Sequence, residues 1–217
     1  MRYWKPKLKS GPTVGIIVAS YLNEDERRSR ALNCMLASVV AQTYNNWRVK
    51  VVHDGPCTAS SFSQNEVIDP RIEFICTSER KLQHGHPHRR EQALAPFTYR
   101  GDNPAYLATC QPDYFVFTND DNYYMPVFLE WMLHEAKTSD SDFLYCDMIH
   151  SHRLWQHFIT TPKKGRIDLG SFLVHRSLVE KVPWTDFSFS GDGTYIEALV
   201  SAAKRVRKLD ATLFVHN

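Results

Sequence analysis

Apolar runs and polar breaks alternate along this chain, and the spacing of each run predicts its structure. Thr13-Val14-Gly15-Ile16-Ile17-Val18-Ala19-Ser20 is short and almost continuously apolar, the pattern of a strand buried on both faces. Asn23-Glu24-Asp25-Glu26 then reads as an acidic helix start, suited to the positive end of a helix dipole. Leu32, Leu36, Val39 and Val40 continue it at helical spacing. Trp47 to His53 reads as a second strand, closed by the turn residues Asp54-Gly55-Pro56, and Arg71 to Cys76 as a third. Gln83 to Arg100 is mixed: a loop with Gly85 and Pro87, then a helix from His88. Tyr114-Phe115-Val116-Phe117-Thr118 is again a buried-strand run. Met125 to Ala136 follows as a helix with Pro126 in its first turn and Phe128, Met132 and Leu133 on one face. Asp142 to Asp147 and Gly170 to His175 read as strands, 150–168 as a long loop, Tyr195 to Lys204 as a helix, and Leu213 to His216 as a last strand.

Such β-α-β alternation predicts an α/β fold, a mostly parallel twisted sheet flanked by helices. In such sheets ligands bind beyond the carboxyl ends of the strands. Ser20-Tyr21, Asp54 and Asp120-Asp121 all fall at predicted strand ends, so they are expected to converge on one crevice. No repeat, low-complexity stretch or linker divides the chain, so one domain over residues 1–217 is expected, with 1–11 as a leader.

Composition narrows the function classes. The 217 residues are 43% apolar and 23% charged, with a formal net charge of +2, unlike the basic excess of a dedicated nucleic-acid binder. No apolar run reaches membrane-spanning length. The basic stretch Met1 to Lys9 lacks the apolar core of a signal peptide. It reads as a solvated leader, with contact to an anionic surface as the alternative. Cys34, Cys57, Cys76, Cys110 and Cys146 are odd in number and form no C-x-x-C pair. That pattern argues against structural zinc and favours free thiols in a reducing, cytoplasmic compartment, with peripheral membrane contact as an option.

The chemistry is concentrated where the strand run meets Asn119-Asp120-Asp121-Asn122. Two adjacent carboxylates repel unless something neutralises them, and a hard cation such as Mg²⁺ or Mn²⁺ does so well. A cation with only one or two protein carboxylates shares its other positions with substrate phosphates and water. The competing reading is an Asp-rich turn before a helix. G-x-G-x-x-G, G-x-x-x-x-G-K-[ST] and G-x-S-x-G are absent, which disfavours Rossmann dinucleotide binding, P-loop chemistry and a nucleophile elbow.

Four segments, in order, resemble the family 2 glycosyltransferases of GT-A fold. They are Ile16-Ile17-Val18-Ala19-Ser20-Tyr21 with Asn23, Ala37-Ser38-Val39-Val40-Ala41-Gln42-Thr43-Tyr44, Val51-Val52-His53-Asp54-Gly55, and Thr118 through Pro126. The last is especially similar to the branch of the family acting on bacterial spore-coat polysaccharide. Three departures stand out. His53 replaces the first acid of the family's D-D-G pair, Leu22 lengthens the first loop, and Gly85 to Glu91 keeps only Arg90 of the family's A-R-N segment.

The resemblance implies a metal-dependent inverting glycosyltransferase of hexosyl type. It would move a sugar from a UDP-sugar, or secondarily a dTDP-sugar, to a glycan or other hydroxyl acceptor in polysaccharide synthesis. Ala19, Tyr21, Asp54, Arg90 and Asp120 are then expected at the nucleotide. Asp121, with Asp120 and His216, is expected at Mn²⁺ or Mg²⁺, and Asp192 is expected as the base that deprotonates the acceptor. Each residue has a plainer alternative. Asp54 suits a turn before Gly55, Asp192 suits a helix N-cap, and His216 suits an ordinary surface position. His84, His86 and His88 are interrupted by Gly85 and Pro87 and read as a loop rather than a zinc site, and Arg89 reads as a solvated helix face or a diphosphate contact. Trp155 and Trp184 read as sugar platforms or core. Two other functions stay open: a sugar-1-phosphate nucleotidyltransferase, disfavoured because Ser20 to Glu24 is not a Gly-rich basic loop, and a non-catalytic nucleotide-sugar-binding domain.

Overall fold

The computed structural model describes residues 11–20, 26–53, 56, 65–76, 111–186 and 190–217. Strand β1 (Val14–Ser20) is buried at every position, as its unbroken apolar run requires. Its side chains alternate between two cores. Val14, Ile16 and Val18 pack with Leu32, Met35, Leu36 and Val39 of helix α1 (Glu26–Val40), whereas Ile17 and Ala19 face the other way. Strands β2 (Trp47–His53), β3 (Ile72–Cys76) and β4 (Tyr114–Asn119) complete a parallel block in the order β3-β2-β1-β4. Helix α2 (Phe128–Ser139) joins α1 over the first core through Phe128, Leu129 and Met132. Helices α3 (Arg176–Lys181) and α4 (Gly191–Ala202) cover the second core through Leu178, Val179, Ile196 and Leu199.

Among the described residues the sheet has nine strands and is mixed. Beyond β4 come β8 (Phe172–His175), β6 (Phe143–His150), β9 (Val206–His216) and β5 (Tyr123–Tyr124), while β7 (Gln156–Phe158) pairs with β6. Strands β5, β7 and β8 run against the rest; β6 and β9 pair in parallel. The expectation of a mostly parallel sheet therefore holds for β1 to β4, β6 and β9 and is corrected for the other three. Because those six strands point the same way, their carboxyl ends share one edge.

Other expectations shift. The last strand begins at Val206 rather than Leu213, because Arg207, Lys208 and Asp210 hide its first half. Residues 150–168 hold the short helix η1 (Ser151–Arg153) and β7. Pro126 lies before Val127, the N-cap of α2, rather than in its first turn. Cys34 and Cys146 are free, but Cys76 is disulfide-bonded. The bond at Cys76 departs from the free thiols expected from cysteine spacing. Among the described residues no helix is long and apolar enough to cross a membrane.

Candidate active site

The acidic turn is held from two sides. On one side, the Ser38-to-Tyr44 segment ends α1 and grips the chain after the acids. The Gln42 amide donates to the carbonyls of Met125 (2.8 Å) and Ser38 (3.1 Å) and accepts from the Leu129 N–H (3.0 Å). The Tyr124 N–H donates to Ser38 Oγ at 3.2 Å, and the Thr43 N–H to the Pro126 carbonyl at 2.8 Å. Gln42 thus supplies the cap that Val127 cannot, since valine has no side-chain acceptor. On the other side, buried Asn122 donates to Thr118 Oγ1 and accepts from the Asn217 N–H, both at 3.2 Å. With Tyr123 paired to Val215, this brings His216 beside the turn.

The two acids differ. Asp120 is 7% exposed, and its Oδ2 accepts from the Ser20 hydroxyl at 2.8 Å, joining the ends of β1 and β4. Asp121 is pushed up to about 6, first by burial and next by Asp120; His216 draws it back and Asp168 pushes it further. Burial beside Asp120 thus leaves Asp121 a poorly compensated charge.

His216 stands opposite His150 in the β6–β9 register, with ring centroids 4.3 Å apart; His152 lies 5.6 Å from His216. Burial, then His216, His152 and Arg153, pushes His150 down to about 4. The Nδ1 atoms of His150 and His216 are buried without a hydrogen-bond partner. His216 Nε2 lies 3.5 Å from Asp168 Oδ2. Asp168 in turn caps the short helix η2 (Leu169–Ser171), its Oδ1 accepting from the Gly170 N–H at 2.8 Å.

Asp192 sits in the first turn of α4, not at its N-cap, which is Ser190. Its Oδ1 accepts from the Gly193 N–H at 2.7 Å. Burial raises its pKa, Gly193 opposes, Asp168 adds to the rise and Lys164 draws it back. The flanking glycines are steric necessities. A Cβ on Gly191 would overlap the Asp186 carbonyl, and one on Gly193 would stand 2.9 Å from Lys164 Cα. Neighbouring acids are engaged elsewhere: Asp147 Oδ1 with Lys208 Nζ and the Thr160 N–H, both at 2.8 Å, and Asp186 with Thr194 Oγ1 at 2.7 Å.

Of the sequence-predicted residues, Asp120, Asp121 and His216 gather at one edge, and Asp168, which faces His216, raises the pKa of both Asp121 and Asp192. The Ala19 side chain packs in the second core, which leaves only its main chain to meet a ligand. Tyr21, Asp54 and Arg90 lie outside the described residues, as do His84, His86, His88 and Arg89. Trp184 is core, its ring 4.8 Å from that of Tyr195 and tilted to it by 32°, whereas Trp155 is 58% exposed. His150 and the partnership of Asp168 with His216 escaped the sequence reading, because both lie in or beside a stretch without periodicity.

A cation fits this donor set. Among the described residues no three His, Cys, Asp or Glu side chains form a ready-made metal group. Carboxylate Asp121 and the unpartnered Nδ1 of His216 suit an ion that completes its shell with phosphate and water.

No protein-family model matches the sequence, and no curated protein matches it either. Solved structures do. Residues covering 94% of the chain superpose on 60% of Staphylococcus aureus TarS residues 1–349, with a TM-score of 0.68 and 13% identity. TarS 1–349 in complex with UDP gives 0.66 and 13%, over 60% of that chain. TarS 1–349 in complex with UDP-GlcNAc gives 0.65 and 14%, over 58%. The chain therefore spans less than two thirds of those proteins. At this identity the likeness concerns the fold alone, and that fold is GT-A.

Proposed function

We propose that this chain is a metal-dependent inverting glycosyltransferase that uses a UDP-sugar, with a dTDP-sugar as second choice, and an acceptor hydroxyl. The observation that carries the reading is the meeting of Asp120, Asp121 and His216 at the carboxyl edge of a GT-A sheet. Support also comes from the like-folded TarS, solved with UDP and with UDP-GlcNAc.

Asp121 and His216 would hold the cation, with Asp120 kept in place by Ser20. Bound there, Mn²⁺ or Mg²⁺ would act as a Lewis acid toward the departing nucleoside diphosphate. Asp192 removes the acceptor proton as its oxygen attacks. The raised pKa makes it a stronger base than a solvated carboxylate, and Oδ1 is held by Gly193, which leaves Oδ2 for the proton. One displacement on the face opposite the leaving group inverts the anomeric centre. Asp54 would accept from the imide N–H of uracil or thymine, since a carboxylate only accepts. Sugar and acceptor selection belong to loops, and a polysaccharide acceptor rests on the sequence resemblance alone.

The test is a calorimetric screen of nucleotide sugars with Mn²⁺, followed by donor hydrolysis with and without the metal. Mn²⁺-dependent binding and turnover of a UDP-sugar are expected. Binding without turnover would favour a non-catalytic nucleotide-sugar module, and no binding of any nucleotide sugar would overturn the reading.

A further inference from the structure

We propose that Asp168 is a positioning residue that holds His216 as its Nε2–H tautomer, leaving Nδ1 as the lone pair for a divalent cation. The inference rests on the reading of the acidic turn as a metal–diphosphate site.

The carboxylate is locked. Asp168 Oδ1 is occupied by the Gly170 N–H at 2.8 Å, and Oδ2 faces His216 Nε2 at 3.5 Å. The short helix carrying it is pinned to the strand carrying His216, because Gly170 packs directly on the Phe214 ring. A Cβ at 170 would overlap that ring, so the spacing between Asp168 and His216 depends on this glycine. A carboxylate can only accept, so it favours the proton on the facing nitrogen. That preference is electrostatic and survives a separation longer than a closed hydrogen bond. A neutral imidazole protonated at Nε2 must present a lone pair at Nδ1, and in His216 this atom is buried without a partner. A carboxylate behind a metal-binding histidine orients the ring and raises its basicity, and losing such a partner lowers metal affinity by about 10–100-fold.

Asp168→Asn separates this role from a structural one. Asparagine caps as well as aspartate, so its Oδ1 still accepts from Gly170. Its NH₂ would now face His216 Nε2 and prefer a lone pair there, driving the proton to Nδ1. The experiment is ¹⁵N-histidine NMR of the metal-free protein at about pH 8, above the ordinary imidazole range, with His216→Gln assigning the signal. Mn²⁺ affinity with UDP present is measured on the same samples. The parent should show His216 as Nε2–H, and Asp168→Asn should move it toward Nδ1–H and weaken Mn²⁺ about 10–100-fold. An Nδ1–H parent, which needs no variant to detect, overturns the proposal. So does an unchanged tautomer in the variant, or a changed tautomer with unchanged Mn²⁺ affinity. A parent that binds no Mn²⁺ with UDP sinks the functional reading instead, and the tautomer comparison then decides the positioning role by itself.

Discussion

The Ser20 hydroxyl donates to Asp120 Oδ2 at 2.8 Å in buried surroundings, so adjacent acids of one turn have different duties. Asp120 is tied into the strand ends, while Asp121 stays the poorly compensated charge. Asp121→Asn should therefore abolish Mn²⁺-dependent binding of UDP and keep the fold, as read by calorimetry and circular dichroism. Asp120→Asn should also loosen the β1–β4 junction and lower thermal stability. Parental Mn²⁺ affinity in Asp121→Asn would refute its place at the metal.

The raised pKa of Asp121 also predicts a pH dependence. A carboxyl whose pKa is higher folded than unfolded favours folding fully below pH 3.8 and progressively less as pH rises, levelling off above about 6. The rise from 3.8 to about 6 corresponds to about 3 kcal/mol. Metal-free Asp121→Asn should be more stable than the parent at pH 7.5 by up to about that amount, with the difference gone below pH 4. Urea titrations at both pH values measure it, and a variant no more stable at pH 7.5 contradicts the burial argument.

Gln42 is the residue whose loss should most disturb the acidic turn without touching it. It is 4% exposed and bonds Ser38, Met125 and Leu129. Gln42→Ala strands a buried donor and acceptor, so a loss of about 1–3 kcal/mol is expected. Gln42→Glu keeps the acceptor for the Leu129 N–H and loses the donor, so a clearly smaller loss than with alanine would show that capping α2 is the main task, and an equal loss that the bonds to Ser38 and Met125 are.

Asp192→Asn removes the base but keeps an oxygen for the Gly193 N–H. Donor and metal should bind nearly normally, and transfer should fall by roughly 10²–10⁴. Because Ser190, not Asp192, is the N-cap, little stability should be lost. Transfer at the parental rate would leave Asp192 without the role of base and reopen the search among Asp147, Asp168 and Asp186, each of which is already engaged.

Asp54→Ala tests the base contact inferred from sequence. Uridine and thymidine nucleotides should bind more weakly by about 1.5–3 kcal/mol, the worth of a charge-assisted hydrogen bond. Cytidine and adenosine nucleotides lack the imide donor and should hardly change. A uniform loss across bases would indicate a folding defect.

The sequence by itself determined β1, β2 and β4, because a strand buried on both faces must be apolar at successive positions, and that signal is local. It also marked the acidic turn and the Gln42 segment, since both are contiguous. Tertiary structure decided the rest. Strand direction leaves no trace in periodicity, so β8 looked like another parallel strand. The charged half of β9 was invisible until β6 paired with it. Above all, Asp168 and His216 meet only because Gly170 lets η2 settle on Phe214. Periodicity reports what neighbours along the chain share, whereas the proton on an imidazole follows the field of groups that packing brings together through space.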